Sequence, residues 1–97
     1  MAPEQLDSSW GTIGPRTDVF ALGAVLFSLL AGHPPFCGKT TDELLQTMFA
    51  PEADLSLRAV RPDISIEIDA ICRKCLALVR RNRFASAADL ANALLNV

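Results

Sequence analysis

The sequence lacks any large excess of charge of one sign. Nine lysines and arginines stand against eleven aspartates and glutamates in 97 residues, which gives a net charge of −2 at pH 7. The two signs are mixed along the chain. Nucleic acids and anionic membrane surfaces attract strongly basic proteins, and this balance offers them no such surface. We therefore expect no nucleic-acid partner and no membrane partner.

The sequence indicates neither a cysteine framework nor a secretion signal. Its three cysteines are odd in number and irregularly spaced, so they fit a reducing compartment better than a disulfide scaffold. The first residues do not combine a positive segment, a short apolar run and a small-residue cleavage site. These observations predict a cytoplasmic protein.

Residues that could bind a metal or catalyse hydrolysis are few. Cys72 and Cys75 form one C-x-x-C pair, and His33 and Cys37 could complete a set of four zinc ligands. The paired cysteines, however, lie on the apolar stripe of a predicted helix, where free cysteine packs as a small hydrophobe. The single histidine has no neighbouring nucleophile and is expected on a loop surface. We predict no metal site.

One long apolar segment dominates what is present. Between Asp18 and Gly32 every residue except Gly23 and Ser28 is apolar. Thr17 or Asp18 can cap the start of this helix, and a glycine followed by prolines ends it. Its length is typical of a core helix rather than a membrane span. A helix without a polar face is expected to be buried on all sides.

Three further helices are predicted, which gives an all-α protein of about four helices. A Thr-x-x-Glu capping box begins the second helix at Thr40, and this helix extends to about Met48. The third begins after Ser65 and keeps its apolar residues at helical spacing as far as Val79. The fourth begins with another capping box at Ser86.

The three other predicted helices are too few to cover the central helix on all sides. Apolar and polar residues alternate only weakly at residues 55–60, which are therefore predicted to be a loop and not a further covering element. The chain therefore resembles part of a larger body, and bare apolar surface would favour self-association. We expect some of the following side chains to be exposed: Val19, Phe20, Leu22, Val25, Leu26, Leu29 and Leu30.

Several motifs stand in an order that resembles the C-terminal lobe of a protein kinase. The chain has A-P-E at residues 2–4, an aspartate at the start of the central helix, G-H-P-P-F at residues 32–36 and R-F-x-S at residues 83–86. In kinases the A-P-E triplet ends the activation segment. The local sequence is similar to bacterial serine/threonine kinases. The resemblance implies that residues 1–97 are a partial kinase domain with helices F to I, without the N-lobe or the catalytic loop.

The resemblance implies structural roles for three charged residues. Glu4 matches the A-P-E glutamate, which in the family pairs with an arginine at the place of Arg83. A planar guanidinium suits this role because it donates two parallel hydrogen bonds to a carboxylate. Asp18 matches the aspartate that holds the catalytic loop. Without that loop, we expect it to cap the helix and to benefit from the helix dipole.

The segment before Arg83 departs from the family pattern. Relatives usually carry a Lys-Asp-Pro type of turn where this chain has Arg80, Arg81 and Asn82. The third helix is therefore expected to run a turn longer, with Asn82 in the left-handed conformation at its end. We interpret the cluster of Arg80, Arg81 and Arg83 as a solvated helix end rather than an anion site. Trp10 is predicted to be a packing residue.

The resemblance also implies a parent enzyme that transfers the γ-phosphoryl group of ATP to a serine or threonine hydroxyl with the help of Mg²⁺. The glycine-rich loop, the β3 lysine, the catalytic loop and D-F-G, which perform that reaction, are absent from this sequence. We therefore assign no catalytic, cofactor-binding or metal-binding residue and expect the chain alone to be inactive. Its expected partners are upstream kinase segments and a protein substrate or docking partner. The alternative is a non-catalytic interaction module that binds through the helix after Gly38 and the loop at residues 34–36.

Overall fold

A computed structural model describes residues 2–49 and 55–97. Within these ranges all regular structure is helical, which confirms the all-α prediction. None of the described helices has both the length and the hydropathy needed to cross a membrane. Short 3-10 turns lie at Ser8–Trp10 and Arg80–Asn82. The α-helices of the described ranges are α1 (Pro3–Leu6), α2 (Pro15–Ala31), α3 (Thr41–Phe49), α4 (Leu57–Val60), α5 (Ile66–Cys75) and α6 (Ala87–Leu95).

The central helix α2 begins earlier than the sequence predicts. Its first residue is Pro15, whose fixed φ suits the first helical position, and Gly14 is the N-cap. The N–H of Gly14 donates to Oγ1 of Thr17 at 3.1 Å. Gly32, with φ of 82°, ends the helix as predicted. The expectation that Asp18 caps α2 is wrong, because Asp18 lies within the first turn, where it is exposed.

Hydroxyl caps begin three of the other helices. Thr40 Oγ1 accepts from the N–H of Glu43 at 3.2 Å, so α3 starts and ends one residue later than predicted. Ser65 and Ser86 accept in the same way from the N–H three residues on, at 3.1 and 3.2 Å. These bonds satisfy amides that have no partner inside the helix, which is why the starts of α5 and α6 were predictable.

The expected extension of α5 is wrong. The helix ends at Cys75, and Asn82 is not left-handed, since every positive φ in the described residues belongs to a glycine. A physical reason lies in the carbonyl oxygens of Ala77 and Leu78. Both accept hydrogen bonds from the Arg83 side chain, at 2.7 and 3.2 Å, in the place of the backbone amides that a longer helix would supply.

The predicted loop at residues 55–60 contains the single turn of α4. Leu57, its first residue, is fully buried. The N–H of Leu57 donates to Oδ1 of Asp69 on α5 at 3.0 Å, and Asp69 is itself buried and lies 3.6 Å from Nε of Arg73. This turn is held by a contact with a distant helix, so the local sequence pattern did not reveal it.

The core forms where α2 packs on α4, α5 and α6. Gly23 allows α2 and α5 to approach closely, because a Cβ atom at this position would collide with the Cβ of Cys75. Beside it, Sγ of Cys72 lies 3.6 Å from the carbonyl oxygen of Gly23. The largest fully buried apolar side chains are Phe20, Phe27, Leu57, Leu76 and Val19.

The opposite side of α2 is open. Leu22, Val25 and Leu29 are 46%, 57% and 76% exposed, as the shortage of covering elements predicts. Val19 and Phe20, named with them as candidates for exposure, are instead fully buried. The central helix is therefore not enclosed on all sides within the described residues.

Candidate structural and binding sites

The A-P-E glutamate and Arg83 meet in the interior. Arg83 Nη1 lies 2.7 Å from Oε2 of Glu4, and Nη2 lies 3.0 Å from Oε1. Both side chains are completely buried. The first turn of α1 positions Glu4, and the N–H of Ala2 donates to the Gln5 side chain at 2.9 Å to hold that turn. The pair implied by the family resemblance is therefore formed in the structure, with the two-bond geometry expected of a guanidinium and a carboxylate.

Every N–H of the Arg83 guanidinium has an acceptor. Besides the two bonds to Glu4, Nη1 donates to the carbonyl oxygen of Arg16 at 3.1 Å. Nε and Nη2 donate to the carbonyl oxygens of Ala77 and Leu78, which follow the end of α5. These are all five donors that arginine possesses. The guanidinium also lies 4.8 Å from the centre of the Phe20 ring. Arg83 thus joins α1, the start of α2 and the segment after α5.

The Glu4 carboxylate has a second partner residue that the sequence analysis missed. Oγ1 of Thr17 donates to Oε2 of Glu4 at 2.7 Å while it accepts from Gly14. Burial alone would raise the pKa of Glu4, but the hydrogen bonds from Arg83 and Thr17, with the charge of Arg83, hold that pKa below its ordinary value. The carboxylate is therefore ionised and engaged on both oxygens. Thr17 was interpreted only as a helix cap, and nothing local distinguishes the two roles.

Asp18, the third charged residue implied by the resemblance, does not join this cluster. It is exposed in the first turn of α2, where the positive end of the helix dipole favours a carboxylate. Of the three predicted residues, the structure thus brings Glu4 and Arg83 together and leaves Asp18 apart.

The candidate zinc ligands have different environments. Burial raises the pKa of the Cys72 thiol to about 12 and that of Cys75 to about 11, so both stay protonated in the core. Cys37 is exposed, and all three cysteines are free. The ring of His33 packs edge-on against Phe27, with ring centres 5.6 Å apart. Within residues 2–49 and 55–97, no three His, Cys, Asp or Glu side chains are grouped to hold a metal ion.

An apolar groove lies between α2, α3 and the loop at residues 34–36. It has a volume of about 300 Å³, and we call it the α2–α3 groove. The exposed side chains of Val25 and Leu29 form part of its wall. The remaining lining residues are Phe20, Ala24, Ser28, Pro34, Pro35, Phe36 and Leu44.

A second depression has the opposite character. Its volume is about 330 Å³, it is lined by Trp10, Arg16, Val79, Arg80 and Arg81, and we call it the basic pocket. The interpretation of Arg80, Arg81 and Arg83 as a solvated helix end is wrong for Arg80 and Arg83. Arg83 is buried, and Arg80 Nη1 donates to the carbonyl oxygen of a distant residue, Thr12, at 2.7 Å. The segment is a 3-10 turn in which the Arg80 side chain returns to the body of the protein, whereas Arg81 is exposed.

Comparison with known proteins agrees with this architecture. The family model described as "Protein kinase domain" matches residues 1–95. A probable serine/threonine-protein kinase PknB of Bifidobacterium longum is 33% identical over 89 residues, which are 92% of this chain and 12% of the relative. The serine/threonine-protein kinase PknB of Mycobacterium leprae is 31% identical over 97 residues, which are 100% of this chain and 15% of the relative. PknH of Mycobacterium bovis is 35% identical over 92 residues, 94% of this chain and 15% of the relative. The chain belongs to the protein kinase domain family and spans only a small part of these relatives.

Proposed function

We propose that this chain is the C-terminal lobe portion of a serine/threonine protein kinase, extending from the A-P-E motif onward. The complete enzyme would transfer the γ-phosphoryl group of ATP to a protein hydroxyl, with ATP and Mg²⁺ as its cofactors. The observation that carries this proposal is the family match over residues 1–95. The buried pair of Glu4 and Arg83 supports it, because that pair anchors the end of the activation segment to the helical lobe.

Within that enzyme the chain would serve as a platform, without catalytic residues of its own. Phosphoryl transfer needs groups that bind phosphates and metal ions and one that orients the acceptor hydroxyl. Glu4 and Arg83 are engaged with each other in the interior, and no described set of acidic side chains is placed for Mg²⁺. The described residues do not fit Mg-ATP, so we assign the chain alone no activity and no nucleotide site.

The open side of α2 supports the proposed partners. Leu22, Val25 and Leu29 would pack against upstream kinase segments of the parent, and a protein substrate or docking partner would bind to the assembled lobe. In isolation the same side chains would drive self-association. Three free cysteines agree with a cytoplasmic location for the parent domain.

Restoring the upstream coding sequence tests the kinase proposal. We expect the isolated chain to show no saturable heat with Mg-ATP in calorimetry and no phosphoryl transfer to a protein acceptor. A longer protein that adds the upstream segments should show both. Saturable Mg-ATP binding by the isolated chain would contradict the assignment, as would an inactive longer protein with an intact catalytic loop.

The α2–α3 groove favours a second candidate, a helical interaction module that acts without nucleotide. Its apolar lining and its position beside α3 match the surface predicted for docking. Leu29→Glu should weaken partner binding or self-association, measured by sedimentation, because Leu29 lines the groove. Leu95→Glu, at an equally apolar and 81% exposed site on α6, is the matched control. Equal effects of the two variants would indicate non-specific hydrophobic association and would remove support for the interaction module.

A further inference from the structure

The basic pocket gathers three arginines, and within residues 2–49 and 55–97 no acidic side chain forms an ion pair with them. Arg16 comes from the first turn of α2, and Arg80 and Arg81 come from the 3-10 turn before Arg83. Among the described residues, none that lines the pocket is acidic. None of these three arginines takes part in an ion pair within the described ranges. Three like charges around one small space repel one another, and an anion between them would relieve that repulsion.

Arg80 is held in place rather than free in solvent. Its Nη1 donates to the carbonyl oxygen and to Oγ1 of Thr12, at 2.7 and 3.2 Å. The guanidinium passes over Gly11, where a Cβ atom would approach it to 2.5 Å, and the φ of 121° at Gly11 also favours glycine. The side chain is thus fixed at the pocket before any ligand arrives, which lowers the ordering cost of binding.

The other wall of the pocket is aromatic and also fixed. The ring of Trp10 stacks on Phe49 with centres 4.9 Å apart and planes at 28°. The first turn of α2 adds the positive end of its dipole near Arg16. Asp18, the acidic residue of that turn, does not line the pocket. A volume of about 330 Å³ lies at the small end of ligand pockets, so it suits a single compact group.

We propose that the basic pocket binds a phosphate group, either free or carried on a phosphorylated side chain. Guanidinium groups match phosphate because their planar N–H donors form paired hydrogen bonds with its oxygens. A phosphate with close to two negative charges balances three arginines better than a carboxylate with one. This inference does not depend on whether the parent is an active kinase.

Trp10 provides the measurement, because it is the only tryptophan in the chain and lines the pocket. The 97-residue chain is titrated with sodium phosphate, capped phosphothreonine, capped threonine and sodium acetate, all at an ionic strength fixed with sodium chloride. We expect saturable changes in Trp10 emission with the two phosphate compounds only. Tighter binding of phosphothreonine than of phosphate would identify a phosphorylated side chain as the ligand, and the reverse order would identify free phosphate.

Variants separate a built site from general charge attraction. Arg81→Gln and Arg16→Gln should each weaken phosphate binding about tenfold, the loss of one charged hydrogen-bond partner. Arg58→Gln, at an exposed arginine of α4 outside the pocket, should leave it unchanged. Circular dichroism melts confirm that each variant is folded, and calorimetry repeats the titration independently of fluorescence. Equal weakening by Arg58→Gln, or the absence of saturable signal by both methods in the folded chain, would overturn the proposal.

Discussion

The two sides of α2 are both apolar, but one side is buried and the other is exposed to solvent. On one side Val19, Phe20 and Phe27 are at most 1% exposed, whereas on the other Val25 and Leu29 are more than half exposed. The buried side, which we call the sealed side, faces α5. The two helices approach closely because Gly23 has no Cβ atom that would collide with Cys75. Residue type therefore does not decide burial in this helix. Burial depends on a covering element, and on the open side α3 and the loop at residues 34–36 leave a groove instead of covering the helix.

The largest effect on stability should come from breaking the buried ion pair between Glu4 and Arg83. Arg83→Ala and Glu4→Ala should each lower the free energy of unfolding by about 3–5 kcal/mol, because each leaves a buried charge unpaired. The double variant should cost much less than the sum, as urea unfolding would show. The exposed Arg58→Ala should change stability by no more than about 0.5 kcal/mol. Strictly additive losses would show that the pair contributes no coupling.

A matched pair of valines tests the two sides directly. Val19→Ala should lower the free energy of unfolding by about 2–3 kcal/mol, because it removes two buried methyl groups and leaves a cavity. Val25→Ala, in the same helix but 57% exposed, should be within about 0.5 kcal/mol of wild type. The comparison rests on thermal or urea unfolding of both. A comparable loss from Val25→Ala would mean that the open side is covered in solution.

The close approach of α2 and α5 predicts a smaller effect at Gly23. On an exposed helix, Gly→Ala stabilises by up to about 1 kcal/mol. Here the new methyl group would collide with Cys75, so Gly23→Ala should instead destabilise by about 1–3 kcal/mol. Denaturant unfolding measures the sign. A stabilised Gly23→Ala variant would show that the two helices can separate without cost.

Acid should lower the free energy of unfolding by removing the contribution of the ionised Glu4. We expect no such effect near neutral pH. The folded-state pKa of Glu4 is lowered, so its contribution is present above the unfolded value, about 4.3, and is lost as pH falls through the folded pKa. Hydrogen bonds from Ser9 and Arg61 also lower the pKa values of Asp7 and Asp63. The difference between wild type and Glu4→Gln isolates the Glu4 contribution. If both proteins lose stability in parallel below pH 5, Glu4 is not the group responsible.

The sequence predicts those parts of the fold that depend on local chemistry. Ser65, Ser86 and Gly32 occupy their predicted caps because each acts within a few residues of the chain. The start of α2 was misplaced because Thr17, a good N-cap residue, is used at the third helical position instead. The turn of α4 was missed because its bond to Asp69 joins residues twelve apart in sequence.

The candidate sites likewise include one that the sequence identified and others that only the folded structure reveals. Family resemblance identified Glu4 and Arg83, which meet across 79 positions, although no periodicity could connect them. Neither the bond from Thr17 to Glu4 nor the pocket formed by Arg16 with Arg80 was predicted. The first arises only when α1 lies beside α2, and the second only when α2 lies beside the segment after α5. Such sites depend on tertiary packing and need the folded structure.

The five acceptors of Arg83 have a consequence for hydrogen exchange. A four-residue helix such as α1 has almost no stability of its own, because one turn does not repay the cost of nucleation. Two bonds from the Arg83 guanidinium hold Glu4, so the protection of the α1 amides should depend on this contact. The N-terminal and C-terminal segments should therefore open as one cooperative unit, and the exchange rate of α1 reports on residue 83.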